Sequence, residues 1–143
     1  MDENEKIARK IEAMKKYIDF LKSYKGVTKK ELEENYELRS AVERNFQLAI
    51  ESVLDIGEVI ISAYNFEKPE DYKSVILILG KHGVIPKDFA DDFSKVAGLR
   101  NILVHMYEKI DVSKLYKYLQ NNLKDFDKFS MFIARYLKKN DKE

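Results

Sequence analysis

An all-α fold, an antiparallel helical bundle of about five helices, is what this sequence predicts, on three observations. Apolar residues recur at spacings of three and four along most of the chain, the period of an amphipathic helix, and no strand-like alternation appears. Glycine and proline, the residues that punctuate turns, number only five and two in 143 residues. Apolar residues make up 45% and charged residues 36%, the balance of a folded globular chain rather than a disordered one.

The first helix is expected from about Asn4 to Lys25. Ile7, Ile11, Met14, Ile18 and Leu21 form one apolar seam along it, and Gly26 stops it. The second opens at Thr28 with Glu31 three residues on, a capping box, and extends to about Ala63. Its stripe of Leu38, Val42, Phe46, Ala49, Val53, Ile56 and Ile60 is widened by Ala41, Leu48, Ile50, Leu54, Val59 and Ile61. A helix apolar over so much of its girth either lies at the centre of the bundle or meets a second subunit.

Asn65 to Glu70 reads as a break closed by Pro69, before a third helix from about Glu70 to Lys81. Gly80 and Gly83 bracket a turn with His82, and Pro86 suits the first turn of a fourth helix carrying Phe89, Phe93, Val96 and Ala97. Asp111 reads as the N-cap of a last helix reaching about Leu137 through Leu115, Leu119, Phe126, Phe129 and Ile133. The tail from Lys138 to Glu143 is charged and expected to fray.

Residues 1–143 fit one domain, long enough to bury a core. No apolar run approaches the ~18 residues of a membrane-spanning helix, and Met1 to Glu5 has no apolar stretch of a signal peptide. The absence of cysteine excludes disulfides and thiolate metal sites; a cytoplasmic protein is the simplest expectation. A net charge of +1 excludes a uniformly basic body gripping a long stretch of nucleic acid. Any RNA contact must be local or assembled from two copies. Abundant Lys and Glu without Cys are compatible with a thermophilic source.

The chemistry-bearing segment is Gly98-Leu99-Arg100-Asn101-Ile102-Leu103-Val104-His105-Met106-Tyr107. Arginine offers a bidentate fork for phosphate, and histidine gives or takes a proton near neutral pH. Each residue also has a plainer reading. Arg100 alone would be a surface ion pair, and His105, between Val104 and Met106, a satisfied core histidine. Asn101 could be an exposed helix residue, and Tyr107 one of nine tyrosines packing a core or rim. At ~100° per residue Asn101 and His105 lie on nearly one face, whereas Arg100 and His105 are offset by roughly 140°. A two-fold dimer setting two copies of the motif helix across one cleft would close that gap and double the local positive charge.

His82, with neither cysteine nor a nearby second histidine, reads as a loop histidine, and a metal site there is not expected. Arg44, Gln47, Glu51, Asp55, Glu58 and Ser62 make a polar stripe on the second helix, read as a solvated face. The rival reading sets Arg39, Glu43 and Arg44 along the cleft near the motif. Glu51 and Asp55, one turn apart, would make a thin carboxylate pair for a metal, without a histidine to complete it.

Arg100-Asn101-x-x-x-His105 resembles the R-x4-H motif of HEPN domains, and its extension to Tyr107 resembles the R-x4-H-x-Y form of HepT-type toxins. Ile110-Asp111 and the upstream run from Arg39 to Gln47 carry the resemblance over most of the chain. It implies a homodimeric all-α RNase without metal or cofactor, cleaving RNA with Arg100 on the phosphate and His105 as general acid or base, aided by Asn101. It implies a minimal nucleotidyltransferase antitoxin as partner, and Tyr107 as the acceptor of AMP. The rival expectations are a non-catalytic module binding nucleotide, RNA or that partner, and a structural bundle pairing through its wide second helix.

Overall fold

The computed structural model describes residues 2–105 and 111–140, with the side chain of His105 outside the description. Eight helices occupy the described residues: α1 (Glu3–Ser23), α2 (Lys29–Glu34), α3 (Tyr36–Ala63), α4 (Tyr72–Lys81), α5 (Lys87–Phe93), α6 (Val96–His105), α7 (Val112–Asn121) and α8 (Leu123–Asn140). No strand is present among them. The five expected helices are thus all there, but three of them are each divided in two.

Each division has a local cause. The expected helix over 28–63 breaks at Asn35, whose extended backbone ends α2 and whose side chain accepts from the Leu38 amide to cap α3. The fourth bends at Ser94 and Lys95, where the Ala97 and Gly98 amides bond to the carbonyls of those residues in a tight turn. The last divides at Asn122, which ends α7 and bonds forward to Asp125 through its amide side chain. Pro86 stands one residue before α5 rather than in its first turn. The Thr28–Glu31 capping box and the Asp111 cap form as the sequence indicates. Asp71 adds a second capping box with Ser74 at the start of α4.

The helix α3 is the axis of the fold and packs on α1, α2, α4 and α6. Its stripe from Val42 to Ile60 is wholly buried, and Ile50, Leu54 and Ile61 extend that buried face. Ala41, Leu48 and Val59 stay half-buried, so most but not all of the wide apolar girth is met within the chain. The helix α1 runs antiparallel to α3: Lys10, near its start, pairs with Asp55 at 3.3 Å, toward the end of α3. At its other end Lys22 pairs with Asp127 of α8 at 2.7 Å, and Gln120 of α7 donates to the Lys25 carbonyl. Phe46, Phe93, Phe126 and Phe129 join the aliphatic seam of α1 in one hydrophobic core.

The approach of α4 to α3 depends on glycine. A Cβ on Gly57 would lie 2.5 Å from Val75 Cγ1, and one on Gly80 would lie 2.5 Å from the Cβ of Ala90 on α5. Close helix crossings leave no room there for a methyl group. The link from α3 to α4 turns through Asn65, in the left-handed region at φ 56°.

His82 lies in the turn after α4, where it is the C-cap of that helix. Its ring stacks on Phe66 with centroids 3.9 Å apart, and its Nε2 lies 2.6 Å from Glu67 Oε1. Lys81 donates to the other Glu67 oxygen at 2.6 Å. Those bonds, from Lys81 first and His82 second, hold the Glu67 carboxyl down at about 2, from an ordinary 4.5. No helix among the described residues is long and apolar enough to cross a membrane.

Candidate active site

The motif begins inside α6, whose buried residues Val96, Ala97, Leu99 and Leu103 fix its rotation on the core. That rotation turns Arg100 toward α3 and α4. Arg100 Nη2 donates to Glu51 Oε2 at 3.4 Å, a long bond, and Gln47 Nε2 donates to the same oxygen at 3.3 Å. The guanidinium carbon lies 4.4 Å from the centroid of the Tyr72 ring, within cation–π range. The side chain of Arg100 keeps only 17% of its exposure, and that of Glu51 33%. Arg100 is neither a solvated surface residue nor fully tied: among the described residues its buried Nε has no hydrogen-bond partner. Buried donors are almost always satisfied, so this one is noteworthy.

The polar stripe of α3 is consequently not a uniformly solvated face. Arg44, Asp55, Glu58 and Ser62 are exposed, but Gln47 and Glu51 are half-buried and serve Arg100. The sequence weighs Glu51 only as half of a carboxylate pair with Asp55, not as a partner of Arg100, and it does not point to Tyr72. Glu51 lies one turn after Gln47 on the polar stripe, a spacing that by itself does not point to Arg100. Tyr72 carries no signal, because its meeting with Arg100 depends on how α4 and α6 cross.

Asn101 is exposed and lines a groove of about 780 Å³ with Gly98, Tyr72, Glu58, Glu70 and Asp71. Three carboxylates against the one ammonium of Lys73 make this groove acidic. Asn101 and His105 both lie in α6, four residues apart on nearly one face. Tyr107 and the side chain of His105 lie outside the described residues.

Arg39 and Glu43 form an i,i+4 pair at 3.8 Å, and Arg39 Nη1 donates to the Glu33 carbonyl at 3.4 Å. Burial pushes the Glu43 carboxyl up, and Arg39 partly offsets this. Arg44 is exposed. Measured along α3 from Glu51, Arg44 is about 10 Å away and Arg39 about 18 Å. Among the described residues none of the three makes a hydrogen bond or ion pair with Arg100. Among the described residues no three His, Asp or Glu side chains converge as a metal cluster.

An all-α bundle with an R-x4-H arginine held inside on the motif helix defines a HEPN-type domain, and comparison with known proteins leads to the same class. The fold superimposes with a TM-score of 0.83 on the tri-AMPylated Shewanella oneidensis HEPN toxin solved in complex with its MNT antitoxin, at 25% identity, covering 90% of this chain and 96% of that one. The tRNA nuclease HepT of Aphanizomenon flos-aquae is 26% identical over 131 residues, 92% of this chain and 89% of the relative. The mRNA nuclease HepT of Shewanella oneidensis is 26% identical over 126 residues, 88% and 94% of the two chains. The ribonuclease HepT-like family matches residues 14–133, and the chain belongs to that family.

Proposed function

We propose that this chain is the ribonuclease toxin of a toxin–antitoxin pair, working as a homodimer. The observation that carries the reading is the state of Arg100. Its guanidinium is aligned by Glu51 and Tyr72 through one long bond and one ring contact, while Nε is spare among the described residues. Nε itself is buried, but among the described residues a single long bond engages the Nη donors, and a guanidinium so positioned is suited to a phosphodiester, whose charge it would stabilise as the transition state forms.

In the proposed reaction the ribose 2′-oxygen attacks phosphorus and the bond to the 5′-oxygen breaks. His105 takes the proton from the 2′-hydroxyl or gives one to the leaving oxygen, the second histidine of the dimer taking the other role. The products are a 2′,3′-cyclic phosphate and a 5′-hydroxyl, and no metal or cofactor is needed. The acidic groove beside Asn101 disfavours an RNA phosphate on that side, so Asn101 is assigned to orienting His105 rather than to holding substrate. Glu58, late in α3, lines one groove with Ala97 and Gly98 at the start of α6, and Glu51, earlier in α3, accepts from Arg100 further along α6, so α6 runs antiparallel to α3. The end of α6 then heads toward Gln47 and Arg44, which supports Arg44, and beyond it Arg39 and Glu43, as residues lining the cleft.

The partner would be a minimal nucleotidyltransferase, as in the solved complex of the Shewanella oneidensis toxin. In the proposed silencing step the Tyr107 oxygen attacks the α-phosphorus of ATP and pyrophosphate leaves. Each AMP so attached puts negative charge and bulk next to Arg100 and His105 and repels RNA.

Growth on induction of the chain alone tests the reading, beside Arg100→Ala and His105→Ala variants shown to be folded. Arrest with RNA degradation by the parent chain only, relieved by co-expressing the nucleotidyltransferase, is the expected result. One rival is a non-catalytic module in which Arg100 recognises phosphate without cutting. Its signature would be harmless induction with intact RNA, and RNA binding weakened by Arg100→Ala.

A further inference from the structure

Away from the motif, the turn between α4 and α5 meets the end of α8 around a groove of about 710 Å³. Val84, Phe132 and Tyr136 line it together with three cations, Lys87, Arg135 and Lys139. Lys87, Arg135 and Lys139 are exposed, and among the described residues none of them makes an ion pair. The contrast with Lys81 is direct: its charge is answered by Glu67 at 2.6 Å. Aromatic rings continue from the groove in a chain. Tyr136 meets Tyr64 edge-on at 5.3 Å, Tyr64 stacks on Phe66 at 5.9 Å, and Phe66 stacks on His82 at 3.9 Å with planes 4° apart.

Cations beside half-buried aromatic rings are the features with which proteins hold single-stranded nucleic acid: bases stack while the cations follow the phosphates. We propose that this groove is a second RNA-binding site, distinct from the motif, that captures a single-stranded segment of the substrate through Lys87, Arg135 and Lys139. It sits at the Lys81 end of α4, whereas Tyr72, at the other end, contacts Arg100. The ten residues of α4 put about 15 Å between the two, so one strand could span both. The groove also supplies the local positive field that a chain of net charge +1 lacks overall. The proposal rests on the reading that RNA is the substrate, but not on its being cut.

The test is fluorescence anisotropy with a short fluorescein-labelled single-stranded RNA. It compares the full-length His105→Ala chain with the same chain also carrying Lys87→Ala, Arg135→Ala and Lys139→Ala. The triple change is expected to weaken binding at least about tenfold and to flatten the salt dependence of log Kd by about two, as the loss of three phosphate contacts requires. The charge-preserving set Lys87→Arg, Arg135→Lys and Lys139→Arg is expected to stay within about threefold of the parent. Unchanged affinity and salt slope in the triple variant, with helicity by circular dichroism intact, overturn the proposal. That result leaves the ribonuclease reading standing if the parent chain cleaves RNA. Loss of binding in the triple variant beside a parent that never cleaves RNA sustains the groove and removes the ribonuclease reading.

Discussion

The guanidinium of Arg100 on α6 lies 4.4 Å from the ring centroid of Tyr72, the first residue of α4. With Glu51 of α3 at 3.4 Å from Nη2, three helices meet on one side chain. Arg100 is therefore both a candidate catalytic group and a structural junction, and substitutions around it should separate the two roles.

Glu51→Ala removes the acceptor shared by Arg100 and Gln47 and leaves a half-buried guanidinium without its counter-charge. A loss of roughly 1–2 kcal/mol is expected, seen as a fall of several degrees in Tm. Ribonuclease activity should fall mainly in kcat, because the guanidinium is present but no longer aligned. Glu51→Gln, which keeps an acceptor, should retain most of the stability. An unchanged Tm in Glu51→Ala would show that the bond contributes nothing.

Tyr72→Ala is expected to cost about 1 kcal/mol by loss of the ring over the cation, whereas Tyr72→Phe keeps the ring and should be close to neutral. Chemical denaturation of the two variants checks this. Equal stabilities would remove the cation–π contact from the account.

Gly57→Ala and Gly80→Ala each drive a methyl group to within 2.5 Å of a neighbouring side-chain carbon, Val75 Cγ1 and Ala90 Cβ respectively. Overpacking at these crossings is expected to destabilise by about 1–3 kcal/mol. Gly98→Ala meets no atom within 4 Å and serves as the control. In a helix it should be neutral or slightly stabilising, and thermal melts of the three decide the point.

Glu67 carries a pH signature. Its folded-state carboxyl lies at about 2, below the ordinary 4.5. The stabilisation it gives is complete above pH 4.5 and is lost as pH falls toward 2. A Tm difference between the parent chain and Glu67→Gln should therefore be present at pH 6 to 7 and shrink steadily below about pH 4.5. A difference that stays constant down to pH 3 would contradict the assignment.

Much of this architecture was legible in the sequence because burial follows helical period. Ile7, Met14, Ile18 and Leu21, and the stripe from Val42 to Ile60, are buried as their spacing indicates. The breaks were not legible. Asn35, Ser94 and Asn122 are residues that a helix tolerates, and nothing beside them is a glycine or proline. Side-chain capping and core packing decide there against continuation, which no local pattern reports. The site divides in the same way. Arg100 and Asn101 are proposed from their residue types and the motif they resemble, while Glu51 and Tyr72 meet Arg100 across 49 and 28 residues of sequence, through the packing of helices.

The most direct test of the account is to incubate the purified chain with RNA in the presence of EDTA, beside folded Arg100→Ala and His105→Ala variants, and to analyse the new ends. Cleavage by the parent chain alone, leaving 2′,3′-cyclic phosphate and 5′-hydroxyl ends, is the predicted result. Intact RNA with the unmodified parent chain, or equal cleavage by both variants, would contradict it.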